Sequence, residues 1–192
     1  MPGSEWEKLI RMEREQKDIF FSIHPQSPIP PEEREGFQGL KYYPPQEEYR
    51  FELELHKHPV KKKVRMTYTR GEEREFIRWG EFRFRVHDEE HVIQAYKTSA
   101  EENQLFIPFR DPTNSEETYG AGRYLDLHAD RDRTEDEKWI LDFNKAYNPW
   151  CAYNKDYTCP FVPPENWLKT PIYAGEKTGQ KRNKAKSSRI DR

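Results

Sequence analysis

The stretch FRFRVHDEEHVIQAY, residues 82–96, decides how the rest of the chain is read. Phe82, Phe84 and Val86 alternate with Arg83 and Arg85, the two-residue period of a strand with one buried face. Val92 to Tyr96 reads as a second strand. The polar pentapeptide His87-Asp88-Glu89-Glu90-His91 lies between them, so the whole is expected to be an antiparallel hairpin. That pentapeptide also spells H-x-x-E-H, an inverted zinc-protease pattern. Such chemistry needs a helix to place both histidines on one face. Flanked by strands, the pattern reads as an acidic turn, and no metal is expected. His56 and His58 share a strand face, but no third ligand lies nearby.

The same period recurs outward from this hairpin. Phe51, Leu53 and Leu55 alternate with charged residues, as do Val64, Met66 and Tyr68. Leu105 to Phe109, Tyr124 to Leu127 and Trp139 to Phe143 read as further strands. Turn signals separate them at His58-Pro59, Arg70-Gly71, Asp111-Pro112 and Asp130 to Asp136. Short connections without a helical pattern argue an antiparallel meander. The expected class is all-β, mainly antiparallel: a small barrel or barrel-like sandwich of about 7–9 strands, closed so as to hide its edges.

Upstream, residues 4–23 read as a helix opened by the capping box Ser4 and Glu7. Leu9, Met12, Gln16, Ile19, Phe20 and Ile23 fall on one face, which is expected to be the buried one. His24-Pro25 ends it. Residues 24–48 are a Pro-rich strap, 49–143 the β meander, and 144–176 a long aromatic and amide-rich loop expected to pack in order. Together 1–177 make one domain. From Glu176 to Arg192 there are seven basic and two acidic residues, and 178–192 is expected to be a disordered basic tail.

Composition bounds the function. Charged residues are 35% of the 192, against roughly 25% in ordinary chains. Yet the net charge is only −2 and 14% of residues are aromatic, so a core can form. No apolar run is long enough to span a membrane, and the N-terminal MPGSEWEKLIRMEREQ lacks a signal-peptide apolar region. A soluble cytoplasmic protein is expected. Without its tail the chain is acidic, which argues against nucleic acid as a partner. Oligomeric state and cofactor stay open. Tyr119-Gly120-Ala121-Gly122 lacks the third glycine and following helix of a dinucleotide turn.

A string of short motifs stands out: LFIPFRD (105–111), TYGAGRYLD (118–126), LDFN (141–144), AYNP (146–149), CAY (151–153), Cys159-Pro160, PPEN (163–166) and Ala174-Gly175-Glu176. Upstream, His24-Pro25, Ser27-Pro28, Gly39-Leu40 and Tyr42 join them. This order resembles the prokaryotic family catalogued as domain of unknown function 1684, over roughly residues 10–177. The resemblance implies one domain and a shared site, but no reaction.

The candidate site is built on chemistry. Charged groups are almost never buried unpaired, and Arg110, Asp111, Tyr119, Arg123, Asp126, Asp142, Asn144 and Tyr147 sit in or beside apolar strand segments. Arg123 is expected to be buried. It either pairs with Asp126 or Asp142, or grips an anion with its fork. Asn148, Cys151 and Cys159 from the adjoining loop complete the candidate ligand-binding set. The C-x7-C spacing does not suit zinc. Two packed thiols are the first reading, a disulfide the second, and a Cys-His pair with His128 the third. The function expected is binding of a small polar or anionic ligand at a barrel mouth. The alternatives are a hydrolase using Asp126 or Asp142 with Arg123, and a structural or partner-binding protein.

Overall fold

A computed structural model describes residues 4–178. The tail expected at 178–192 lies outside these, apart from Thr178, whose amide donates to the Glu117 carbonyl at 2.9 Å.

Nine strands and one long helix make up the described residues. Helix α1 runs Glu5–Ile23, with Ser4 Oγ accepting from the Glu7 amide at 3.2 Å. The strands are β1 (Lys41–Tyr42), β2 (Arg50–Leu53), β3 (His56–Thr67), β4 (Glu73–Val86), β5 (Glu89–Lys97), β6 (Gln104–Phe109), β7 (Arg123–His128), β8 (Trp139–Asp142) and β9 (Glu176–Lys177). β3 through β7 form an antiparallel five-stranded sheet in sequence order. The outer elements pair across the chain instead: β2 with β8 and β1 with β9, both antiparallel. Three separate sheets result, one of five strands and two of two strands, the small ones joining segments from opposite ends of the chain.

The deciding hairpin is tighter than its sequence suggested. His87 and Asp88 both have positive φ (47° and 66°), as a two-residue primed turn requires, and Glu89 to His91 already belong to β5. His58-Pro59 is not a turn. It lies inside β3, an edge strand, where the register with β4 shifts between Lys57 and Lys62. Proline's missing donor is tolerated at an edge. Across that irregularity Gly80 is required, because a Cβ there would lie 2.7 Å from the His56 carbonyl oxygen.

Alternation fills the core. Phe82, Phe84 and Val86 pack with Ile93, Leu105, Ile107, Phe109, Leu125, Leu141 and Phe143 in one buried cluster. Each such side chain contributes about 1.5–3 kcal/mol by leaving water. Met66, Tyr68, Phe76 and Tyr96 form a second cluster. β5 and β6 pair only at Tyr96 and Phe106. Beyond that point the loop expected over 144–176 repairs the sheet. Fully buried Asn166 accepts from the Gln94 amide at 2.7 Å and donates to the Gln94 and Pro108 carbonyls at 2.9 and 2.7 Å.

Helix α1 buries a different face from the one its apolar spacing indicated. Ile10 and Phe21 are buried, and Arg14 and Lys17 between them face the body. Leu9, Met12, Ile19 and Ile23 are exposed. Both stripes have helical spacing. The inward one won because Arg14 and Lys17 find specific acceptors there.

Candidate functional site

The inward face of α1 roofs a cleft of about 100 Å³, lined by Ile10, Glu13, Arg14, Lys17, Tyr42 and residues 144–147. One local contact and several long-range ones position the wall at 142–146. Asp142 accepts from the Asn144 amide at 2.9 Å, which turns the chain out of β8 into the 3-10 turn Phe143–Lys145. The Asp142 carboxylate also accepts from Trp6 Nε1 at 2.8 Å, tying α1 to this corner. Asn144 is saturated as a clamp: its amide group pairs both ways with the Gln46 backbone at 2.9 and 2.8 Å. Gly175 has φ +78° where a Cβ would lie 2.7 Å from the Phe143 and Ala146 carbonyls, so only glycine fits beneath the turn.

The electrostatics are mixed-sign and partly unpaired. Arg14 donates to the Tyr43 and Asn144 carbonyls at 2.8 and 3.1 Å and lies over the Tyr42 ring. Its Nε is buried without a partner, as is the Tyr42 hydroxyl. Burial lowers the Arg14 pKa and, with Glu176 and Asp18 nearby, pushes the Tyr42 hydroxyl up, so it stays a donor. Glu176 is wholly enclosed; Lys17 Nζ donates to it at 2.8 Å, and its other oxygen is unpartnered. Burial raises its pKa against the pull of Lys17. Lys145 pairs with Glu13 at 3.2 Å.

Of the residues expected from sequence, Asn144 and Tyr147 line this cleft. Asp126 and Asp142 stand behind them; Tyr147 Oη donates to Asp126 at 2.5 Å, and burial followed by that carboxylate raises its pKa. Asn148 lies alongside, its Nδ2 donating to the Lys177 carbonyl at 3.2 Å. Arg110 is elsewhere, stacked on Trp167. Tyr119, Cys151 and Cys159 form a separate group; both cysteines are free thiols, and Tyr119 Oη lies 3.7 Å from Cys151 Sγ.

Arg123 is completely enclosed and pairs at 3.1 Å with Asp111, not with Asp126 or Asp142. Its Nη1 and Nη2 groups also donate to the Ile172, Ala174 and Glu176 carbonyls, while its Nε is buried without a partner. Asp111 in turn accepts from the Ile172 amide at 2.8 Å. The pair therefore fastens residues 172–176 to β7, and every one of these contacts is within the chain. Sequence reasoning missed Arg14, Lys17 and Lys145. The available signal was the second stripe on α1, Ile10, Arg14, Lys17 and Phe21, at the same helical spacing as the apolar one.

Among the described residues no group of three His, Cys, Asp or Glu side chains converges as a metal site, and no helix is long and apolar enough to cross a membrane. A family model described as protein of unknown function (DUF1684) matches residues 35–177. An uncharacterised protein of the archaeon Haloarcula marismortui, with a structure determined by NMR in solution, is 40% identical, with 91% of this chain and 95% of that chain covered and a TM-score of 0.69. No curated protein matches the sequence.

Proposed function

The chain belongs to the family described as protein of unknown function (DUF1684), and we propose from its own geometry that it binds a small anionic ligand in the cleft beneath α1. One observation carries this reading: Arg14 and Tyr42 line the cleft, and Arg14 Nε and Tyr42 Oη are buried with no partner within the protein. A buried donor left unpaired costs about 1–3 kcal/mol, which an acceptor reaching it from the cleft would recover. Lys17 and Lys145 add positive charge beside them.

Size narrows the class. At about 100 Å³ the cleft has room for several waters, the scale of a small ligand with one carboxylate or phosphate group. Glu13 on the wall suits a hydroxyl or amine on the same ligand. A small hydroxy or amino acid or a short phosphoester meets both demands. The same reading takes the three sheets as a barrel-like enclosure with the cleft at its mouth, in a cytoplasmic setting.

Thermal melts across a panel of phosphate and small hydroxy and amino acids test it. At a hundredfold excess over Kd a ligand adds about 2.7 kcal/mol. That is a Tm rise of roughly 5–10 °C for a chain this size. Lys145→Met, which leaves the Arg14 anchors in place, should weaken the effect. A panel without any rise, or a rise unchanged in Lys145→Met, would count against the cleft.

A further inference from the structure

We propose that Cys151 and Cys159 form a reversible two-thiol site that reacts with hydroperoxides, with Cys151 attacking and Cys159 closing the disulfide. The cleft beneath α1 plays no part in this. Both thiols are free and packed in one cluster with Tyr124 and Val162, against Phe106 and Tyr147. Cys151 is half-buried in the 3-10 turn Trp150–Ala152; Cys159 is buried. The Cys159 backbone is pinned to Thr69, with its carbonyl accepting at 3.0 Å and its amide donating at 3.3 Å. That anchor fixes Cys159 in the cluster against which Cys151 packs, and Tyr119 Oη approaches Cys151 at 3.7 Å.

The two sulfurs are chemically unequal. Hydrogen bonding from Cys159, and then from Tyr119, lowers the Cys151 thiol to about 7 against the opposing effect of burial. The same Cys151–Cys159 bond, followed by burial, drives Cys159 upward. Burial, and then the bond to Cys151, pushes Tyr119 up to about 12, which keeps it a donor. Being the less buried of the two and the one that Tyr119 Oη approaches at 3.7 Å, Cys151 is the thiol favoured to ionise and Cys159 the one retained.

The chemistry balances. The Cys151 thiolate attacks the terminal peroxide oxygen; an S–O bond forms and the O–O bond breaks. The leaving alkoxide takes up the proton that Cys151 released, and Cys151 becomes a sulfenic acid. Cys159 sulfur then attacks Cys151 sulfur. The S–S bond forms, the S–O bond breaks, and the hydroxide leaves with the Cys159 proton as water. Two thiols and one hydroperoxide give a disulfide, an alcohol and water. A dithiol reductant reverses the disulfide by exchange.

The test uses the full chain, reduced with dithiothreitol and then exposed to hydrogen peroxide at pH 7. At a pKa of about 7 half of Cys151 is thiolate, against roughly 3% for an ordinary cysteine, and the lower basicity gives back part of that gain. The expected rate is roughly three- to fourfold above free cysteine. Mass spectrometry should find a Cys151–Cys159 linked peptide, two thiols lost per chain, and both restored by dithiothreitol. Cys159→Ser should stop at a dimedone-trapped sulfenic acid on Cys151, and Cys151→Ser should leave Cys159 unoxidised. The wild-type rate should show a pH midpoint near 7. Retention of both thiols, bonds only between chains, first attack at Cys159, or a midpoint at the ordinary thiol value would overturn the proposal.

Discussion

Replacing Arg123 by alanine should be among the most damaging single changes in the chain. Both partners of the Arg123–Asp111 pair are wholly enclosed. The guanidinium also supplies donors to three carbonyls, at Ile172, Ala174 and Glu176. Truncation leaves the Asp111 carboxylate with only the Thr113 and Ile172 groups, and leaves those carbonyls unpaired. Breaking a buried ion pair by removing one partner costs about 3–5 kcal/mol. For a chain of this size that corresponds to a Tm loss of roughly 6–20 °C. Arg123→Lys keeps the charge but cannot serve a carboxylate and three carbonyls with one ammonium, so it should fall between. Arg123→Met combined with Asp111→Asn should recover part of the loss, because no lone charge remains buried. Urea denaturation followed by tryptophan fluorescence gives the free energies, and hydrogen exchange at 172–176 should quicken in Arg123→Ala. A loss within about 1 kcal/mol would refute the reasoning, because a pair whose rupture is that cheap resembles an exposed one.

Gly175→Ala should destabilise by about 1–3 kcal/mol, because its Cβ would meet two carbonyl oxygens at 2.7 Å in a left-handed backbone; a denaturation midpoint equal to wild type would contradict that packing. His91 is buried against Phe84 with Nε2 unpartnered, and burial holds its pKa below 6.5 despite Glu89. The stability it contributes is full above the unfolded pKa and is lost as pH falls below about 6.5 through the folded value. Melts of wild type between pH 7.5 and 5 should therefore slope downward more steeply than those of His91→Gln, and parallel slopes would remove His91 as the cause.

The five-stranded sheet was readable because Phe82, Phe84 and Val86, and their counterparts in β6 and β7, meet one core and keep strict alternation. The pairings of β1 with β9 and β2 with β8 were not. They join residues about 135 and about 90 positions apart through two- and four-residue strands, too short for a period to show. Helix α1 was located by its cap but turned by its apolar stripe, since spacing cannot rank Leu9 and Ile19 against a face whose Arg14 and Lys17 have partners far along the chain. Arg123 was expected to be buried because its neighbours are strand residues. Its true partner, Asp111, stood in the sequence beside equally plausible aspartates, and only the β6–β7 register decides among them. The cleft needed three distant segments at once, at 10–17, 42 and 144–147.

The most direct measurement is an amide-resolved NMR titration of the full chain with inorganic phosphate, repeated on Arg14→Met. The account predicts saturable shifts confined to residues around Arg14, Lys17, Tyr42, Asn144 and Tyr147, and their loss in the variant while the rest of the spectrum stays folded. Shifts absent at millimolar phosphate, or centred away from these residues, would contradict it.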